Sequence, residues 1–108
     1  MTISSLVEKL NLKILVEGDD DREVTGGYCG DLLSWVMGRA KADDAWITIM
    51  SNVNILAVAS LADTACIVLA EGVTVDEGIK ATAAEKCINI ISTDFSIFEA
   101  AVSINDML

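Results

Sequence analysis

Three short apolar runs rich in β-branched residues, Ala45 to Met50, Ala65 to Ala70 and Ile88 to Ser92, recur about every 20 residues along the chain. Helix-like sequence separates them, which is the rhythm of βαβ units and a parallel sheet. Each run is apolar at nearly every position instead of alternating, so helices are expected over both faces of that sheet. Lys13 to Glu17, with Ile14-Leu15-Val16 at its centre, reads as a further strand. The predicted fold class is therefore α/β: a three-layer α/β/α sandwich around a mostly parallel central sheet of about four to five strands.

Capping chemistry marks the helix starts. An N-cap oxygen accepts from an otherwise unpaired backbone N–H, and a Glu three positions later reaches back. Ser96-Ile97-Phe98-Glu99 and Thr74-Val75-Asp76-Glu77 both fit that box. Thr2 can cap a short helix to about Leu10, Asp31 one to about Ala40, and Asn52 or Asn54 one that ends near Thr64. With these the expectation is five helices.

The helix after Asp31 aligns Leu32, Leu33, Val36 and Met37, leaving Trp35 off that stripe at roughly 100° per residue. Trp35 is expected either to face a partner or to pack against a loop of its own chain. The segment from Asn54 to Thr64 is apolar nearly all round and carries Ala57, Ala59 and Ala62, so it is expected to be enclosed on most sides. Close packing in the core is the first reading of it, and a dimer surface the second.

Composition narrows the functions. A chain of 108 residues forms one domain over 1–108. It is 53% hydrophobic, with a mean hydropathy of +0.51, which leaves apolar surface over for a partner. Ile55 to Ala70 is interrupted by Asp63 and is shorter than the roughly 20 apolar residues of a membrane span. No leader-like segment opens the chain, so a cytoplasmic protein without membrane association is expected. Seventeen acidic against seven basic residues give a net charge of −10, which repels a phosphate backbone and argues against nucleic acid. The widely spaced Cys29, Cys66 and Cys87, without any histidine, lack the paired spacing of a zinc site and read as reduced thiols.

Chemistry-bearing clusters are few. The acidic run Glu17, Asp19, Asp20, Asp21 and Glu23 departs from the calcium-loop pattern and reads as a solvated loop; neither metal nor cofactor is expected. Thr25-Gly26-Gly27 suits a tight turn between strand and helix or, because glycine permits φ > 0, an anion-binding nest of backbone N–H groups. Arg22 can form an ion pair with an acidic neighbour or grip a carboxylate or phosphate bidentately. At the carboxyl ends of the strands, where open parallel sheets bind ligands, lie Glu17-Gly18, Ser51-Asn52, Glu71-Gly72 and Ser92-Thr93-Asp94. Asn52 and Thr93 are ligand candidates there, or helix caps. The chain has no histidine-based triad and no phosphate-loop pattern, so no catalytic residues are assigned and an enzyme is not expected.

Asp21-Arg22-Glu23-Val24-Thr25-Gly26-Gly27, followed by Trp46-Ile47-Thr48-Ile49, Asn54 to Leu61 and Ser92 to Ser96, resembles the DRTGG domain family along nearly the entire chain. Family members are similar to the N-terminal domain of bacterial HPr kinase/phosphorylase. They also occur in long phosphotransacetylases and beside CBS domains in some pyrophosphatases. The resemblance implies a layered α/β fold and a role in subunit association and ligand-dependent regulation, with Arg22, Thr25, Gly26 and Gly27 as the motif positions. Trp35 stands where a polar residue is expected. Two readings follow: a stand-alone, non-catalytic module that homodimerises, burying the motif segment and its following helix, and modulates a metabolic enzyme; or a sensor of a nucleotide or acyl phosphate.

Overall fold

A computed structural model describes residues 1–108. In chain order the elements are α1 (Ile3–Leu10), β1 (Lys13–Val16), β2 (Gly26–Cys29), α2 (Leu33–Arg39), β3 (Asp44–Thr48), α3 (Asn54–Ala62), β4 (Cys66–Leu69), α4 (Glu77–Glu85), β5 (Ile90–Ser92) and α5 (Ile97–Met107). The strands form one sheet in the order β1-β5-β4-β3-β2. From β2 to β5 all neighbours are parallel, joined by α2, α3 and α4 in turn, whereas β1 lies antiparallel to β5 at the far edge.

The uniform apolarity of the central runs has the predicted consequence. Every residue of β3 and β4 is buried, and alternate side chains feed two cores. Trp46, Ile67, Leu69 and Ile90 pack under Val36 of α2, Ile55 and Leu56 of α3, and Ile79 of α4. Ala45, Ile47, Val68 and Ile91 pack under Ile3 and Leu6 of α1 and Ala100 and Ile104 of α5. This is the expected three-layer sandwich with five helices and five strands.

Several local expectations are corrected. Gly26-Gly27-Tyr28-Cys29 is neither turn nor nest but a strand in register with Asp44 to Ile47 of β3, and neither glycine has a positive φ. β1 runs against the other strands, so Glu17-Gly18 sits at the opposite end of the sheet from Ser92-Thr93-Asp94. Asp31 does not cap α2, whose N-cap is Leu32 without a side-chain bond. Its carboxylate accepts instead from Thr48 Oγ1 at 2.6 Å and Ile49 N at 3.1 Å, bracing the end of β3. The cap of α4 is Asp76, two residues past Thr74. Thr2 and Ser96 cap as predicted, Ser96 with the complete box to Glu99.

α3 is less enclosed than expected, and most of the apolar stripe at α2 lies open as well. Only Val36 of α2 is buried, while Leu32 is 58% and Met37 45% exposed. α3 buries Ile55, Leu56, Val58 and Ala59 but leaves Leu61 70% exposed. A helix on a two-sided sheet shows its third face to solvent unless another layer covers it.

Candidate functional site

The motif segment runs along the amino ends of the parallel strands, where Arg22 acts as a clamp. Its Nε donates to Asp43 Oδ1 at 3.0 Å, and its NH2 nitrogen donates to the Asp63 carbonyl at 2.6 Å and to Asp63 Oδ1 at 2.9 Å. The two aspartates precede β3 and follow α3, and both adopt left-handed backbone, with φ 69° and 58°. Asp43 N also donates to the Asp63 carbonyl at 3.0 Å, so one oxygen gathers both turns. Burial works to lower the Arg22 pKa, but the hydrogen bonds and charges of Asp43 and Asp63 outweigh it and hold the guanidinium above its ordinary value. Nε and one of its two terminal nitrogens are committed within its own chain.

Arg22 lines a polar cleft of about 220 Å³ with Asp19, Asp63, Lys86 and Asn89, where the Thr64 hydroxyl is buried without a hydrogen-bond partner. Asn89, which the sequence reading passed over, is the principal anchor there. Its Oδ1 accepts from Gly18 N at 2.8 Å, and its Nδ2 donates to the carbonyls of Asp19 and Ala65 at 2.8 and 3.2 Å. The acidic loop is thus ordered through its backbone, and its carbonyls have a further task. Those of Asp20 and Arg22 accept from Ser4 N and Ile3 N, two of the amides that α1 cannot satisfy internally.

Thr25, Gly26 and Gly27 lie elsewhere, along β2 at the open edge of the sheet. With Tyr28, Arg39 and Lys41 they line a cleft of about 410 Å³ on the α2 side. Gly26 is required by contact, because a Cβ there would stand 2.8 Å from Asp44 Oδ1, whose partner oxygen accepts from Lys41 N at 2.8 Å. On the other face of β2, Gly27 and Cys29 form one wall of an apolar cleft of about 400 Å³ whose opposite wall is α5, with Phe98, Val102 and Leu108.

The remaining predicted residues are dispersed. Trp35 is 51% exposed on α2, with the Arg39 guanidinium 3.8 Å from its ring centroid. Leu32, Ile49 and Val53 are also exposed; Leu32 immediately precedes α2, and Ile49 and Val53 lie in the segment that joins β3 to α3. Asn52 is exposed in the same region, and its Oδ1 accepts from Asn54 N at 2.9 Å. Thr93 accepts from Phe95 N at 3.2 Å and lines a cleft of about 420 Å³ with Lys13, Gly72, Thr74 and Ser92 at the carboxyl ends of β4 and β5. The structure therefore brings Thr25, Gly26 and Gly27 together but keeps Arg22, Thr93, and the pair Trp35 and Asn52 at three other places.

The thiols divide by burial. Cys29 and Cys87 are exposed, and Cys66 is buried in β4. Burial, and then the Asp31 charge, raise the Cys29 pKa. Burial pushes Cys66 up to about 12, against an opposing pull from the Arg22 charge. The folded pKa of Cys66 lies above its unfolded value of 9.0, so its contribution to stability is full below that pH and is lost as pH rises from 9 towards 12. In urea titrations at pH 8 and pH 10, wild type should lose about 1 kcal/mol relative to Cys66→Ala. Parallel losses in both proteins would rule out Cys66 as the group responsible.

The architecture is that of a small α/β/α module whose polar groups mainly brace its own loops. Residues 5–107 match the family model described as the DRTGG domain, and the chain belongs to that family. No curated protein matches it. Among solved structures, the chain is similar to one described as the CBS and DRTGG domains of the regulatory region of Clostridium perfringens pyrophosphatase, complexed with its activator diadenosine tetraphosphate. The TM-score is 0.73 and the identity 15%, over 95% of this chain and 45% of that one. The chain thus spans less than half the length of that relative. Neither likeness indicates a catalytic family.

Proposed function

We propose that this domain is a non-catalytic regulatory module that forms a homodimer and modulates a metabolic enzyme or complex through protein contact. The observation that carries this reading is the set of exposed apolar side chains: Phe98, Val102 and Leu108, which wall one apolar cleft beside β2, and Leu32, Trp35, Ile49 and Val53 in the segments that follow β2 and β3. Patches of that kind mark interaction sites more often than idle surface. Two such faces suit a module that joins its own copy on one side and a second protein on the other. Membership of a family that occurs in the regulatory region of a pyrophosphatase supports the same reading.

A second reading, a small-molecule sensor, draws on the cleft at the carboxyl ends of β4 and β5. Lys13 supplies a cation there and Thr74, Ser92 and Thr93 supply hydroxyls. The similar pyrophosphatase region was solved with a dinucleotide activator. Both readings are tested on one preparation. Sedimentation at about 10–100 µM should show a dimer, and a monomer throughout would remove the first reading. A nucleotide or acyl phosphate present at about 100 times its Kd should raise the Tm by roughly 10 °C. A panel including diadenosine tetraphosphate that leaves the Tm unmoved would remove the second.

A further inference from the structure

The two edges of the sheet are built differently. β1 carries Lys13, and its pairing is irregular between Ile14 and Val16, two devices that keep an edge strand from recruiting another chain. β2 has neither. Gly-Gly-Tyr-Cys is uncharged and free of proline, and it runs in unbroken register with β3. An edge strand leaves the outward backbone groups of alternate residues without sheet partners.

The ground on either side of this edge is also open. Above it lies the apolar cleft between Cys29 and α5, and below it the cleft of Thr25, Tyr28, Arg39 and Lys41. A strand added to β2 would close both clefts at once. We propose that its occupant is β2 of a second copy, paired antiparallel about a two-fold axis so that the two five-stranded sheets become continuous. This inference rests on the homodimer reading above and assigns its interface.

Charge complementarity favours a second copy. Lys41 stands at the amino end of β2, held beside Asp44 through its backbone, and Asp31 stands at the carboxyl end, bound to Thr48 and Ile49. Antiparallel pairing sets the Lys41 end of each copy against the Asp31 end of the other. On the α5 face, the same axis brings the two Phe98 and Val102 stripes side by side. These residues are 76% and 44% exposed in the single chain. An isologous pairing thus satisfies the strand edge, the apolar stripe and the opposed charges together.

The test uses sedimentation of the full chain with three variants. Cys29→Lys places a charge on the edge strand, and Phe98→Glu one on the α5 stripe; both sites are exposed, so the monomer fold is retained, as circular dichroism would verify. Each should weaken dimerisation by at least about tenfold, and Trp35→Glu should leave it within about twofold. In wild type, alkylation of Cys29 should slow as protein concentration rises, while that of Cys87 stays constant. A dimer that survives Cys29→Lys and Phe98→Glu but separates on Trp35→Glu would overturn this interface and leave the homodimer standing. Wild type that remains a monomer at about 100 µM would overturn both.

Discussion

Arg22→Ala should lower the melting temperature by roughly 10 °C without changing the oligomeric state. The guanidinium makes three short hydrogen bonds, two of them to carboxylates. Bonds to charged groups contribute about 1.5–3 kcal/mol each when shielded. Here Asp43 and Asp63 are 44% and 67% exposed, so solvent screening reduces the sum to about 2 kcal/mol. The loss is larger than for a simple surface pair because the bonds span three segments and hold two aspartates in left-handed backbone, a conformation that disfavours any side chain. Arg22→Lys keeps the charge but lacks the planar fork, and should recover less than half of the loss. Thermal melts and sedimentation on the three proteins decide the matter. A dimer that dissociates in Arg22→Ala with its monomer Tm unchanged would show that Arg22 serves an interface instead of its own turns.

Arg22 also shows where sequence reading succeeds and where it stops. An ion pair within the chain was legible, because an arginine amid carboxylates finds one; its partners were not, because Asp43 and Asp63 lie 21 and 41 residues away. The layers and the number of helices could be read from the apolar runs and the segments between them, since buried parallel strands are apolar throughout. The capping residue itself was legible only at Thr2 and Ser96. β2 escaped because half of Gly-Gly-Tyr-Cys is glycine, which is depleted in strands and reads as a turn. It is a strand because β3 offers a template and because Gly26 alone accommodates the buried Asp44 carboxylate. The antiparallel sense of β1 escaped for a related reason, since an apolar triplet carries no direction. The candidate interface was half visible: the glycine pair was noticed for its conformational freedom, but its contribution is an uncharged edge. Phe98, the most exposed large apolar residue on α5, was read only as part of a capping box.

Asn89→Ala should be the more damaging substitution, costing about 3 kcal/mol and on the order of 15 °C in Tm. The side chain is 3% exposed, and all three of its bonds go to backbone groups: Gly18 N, Asp19 O and Ala65 O. Alanine would remove all three bonds at once and leave Gly18 N dependent on water from the adjoining polar cleft. Asn89→Asp should be worse still, since it removes both donors and buries a charge beside Asp19. The packing around this anchor is equally intolerant. A Cβ at Gly18 would lie 2.4 Å from the Cys87 carbonyl oxygen, so Gly18→Ala forces the backbone apart. Asn89 and the Arg22 side chain anchor one loop at points three to four residues apart, Asn89 through Gly18 N and the Asp19 carbonyl and Arg22 through Asp43 and Asp63. Once either anchor is lost, the loop and the α1 amides it caps are already loosened. Urea titrations of Asn89→Ala, Arg22→Ala and the double variant should therefore show a combined loss at least about 1 kcal/mol smaller than the sum of the two. Additivity within about 0.5 kcal/mol would mean that each anchor holds its own part of the chain and that the loop does not couple them.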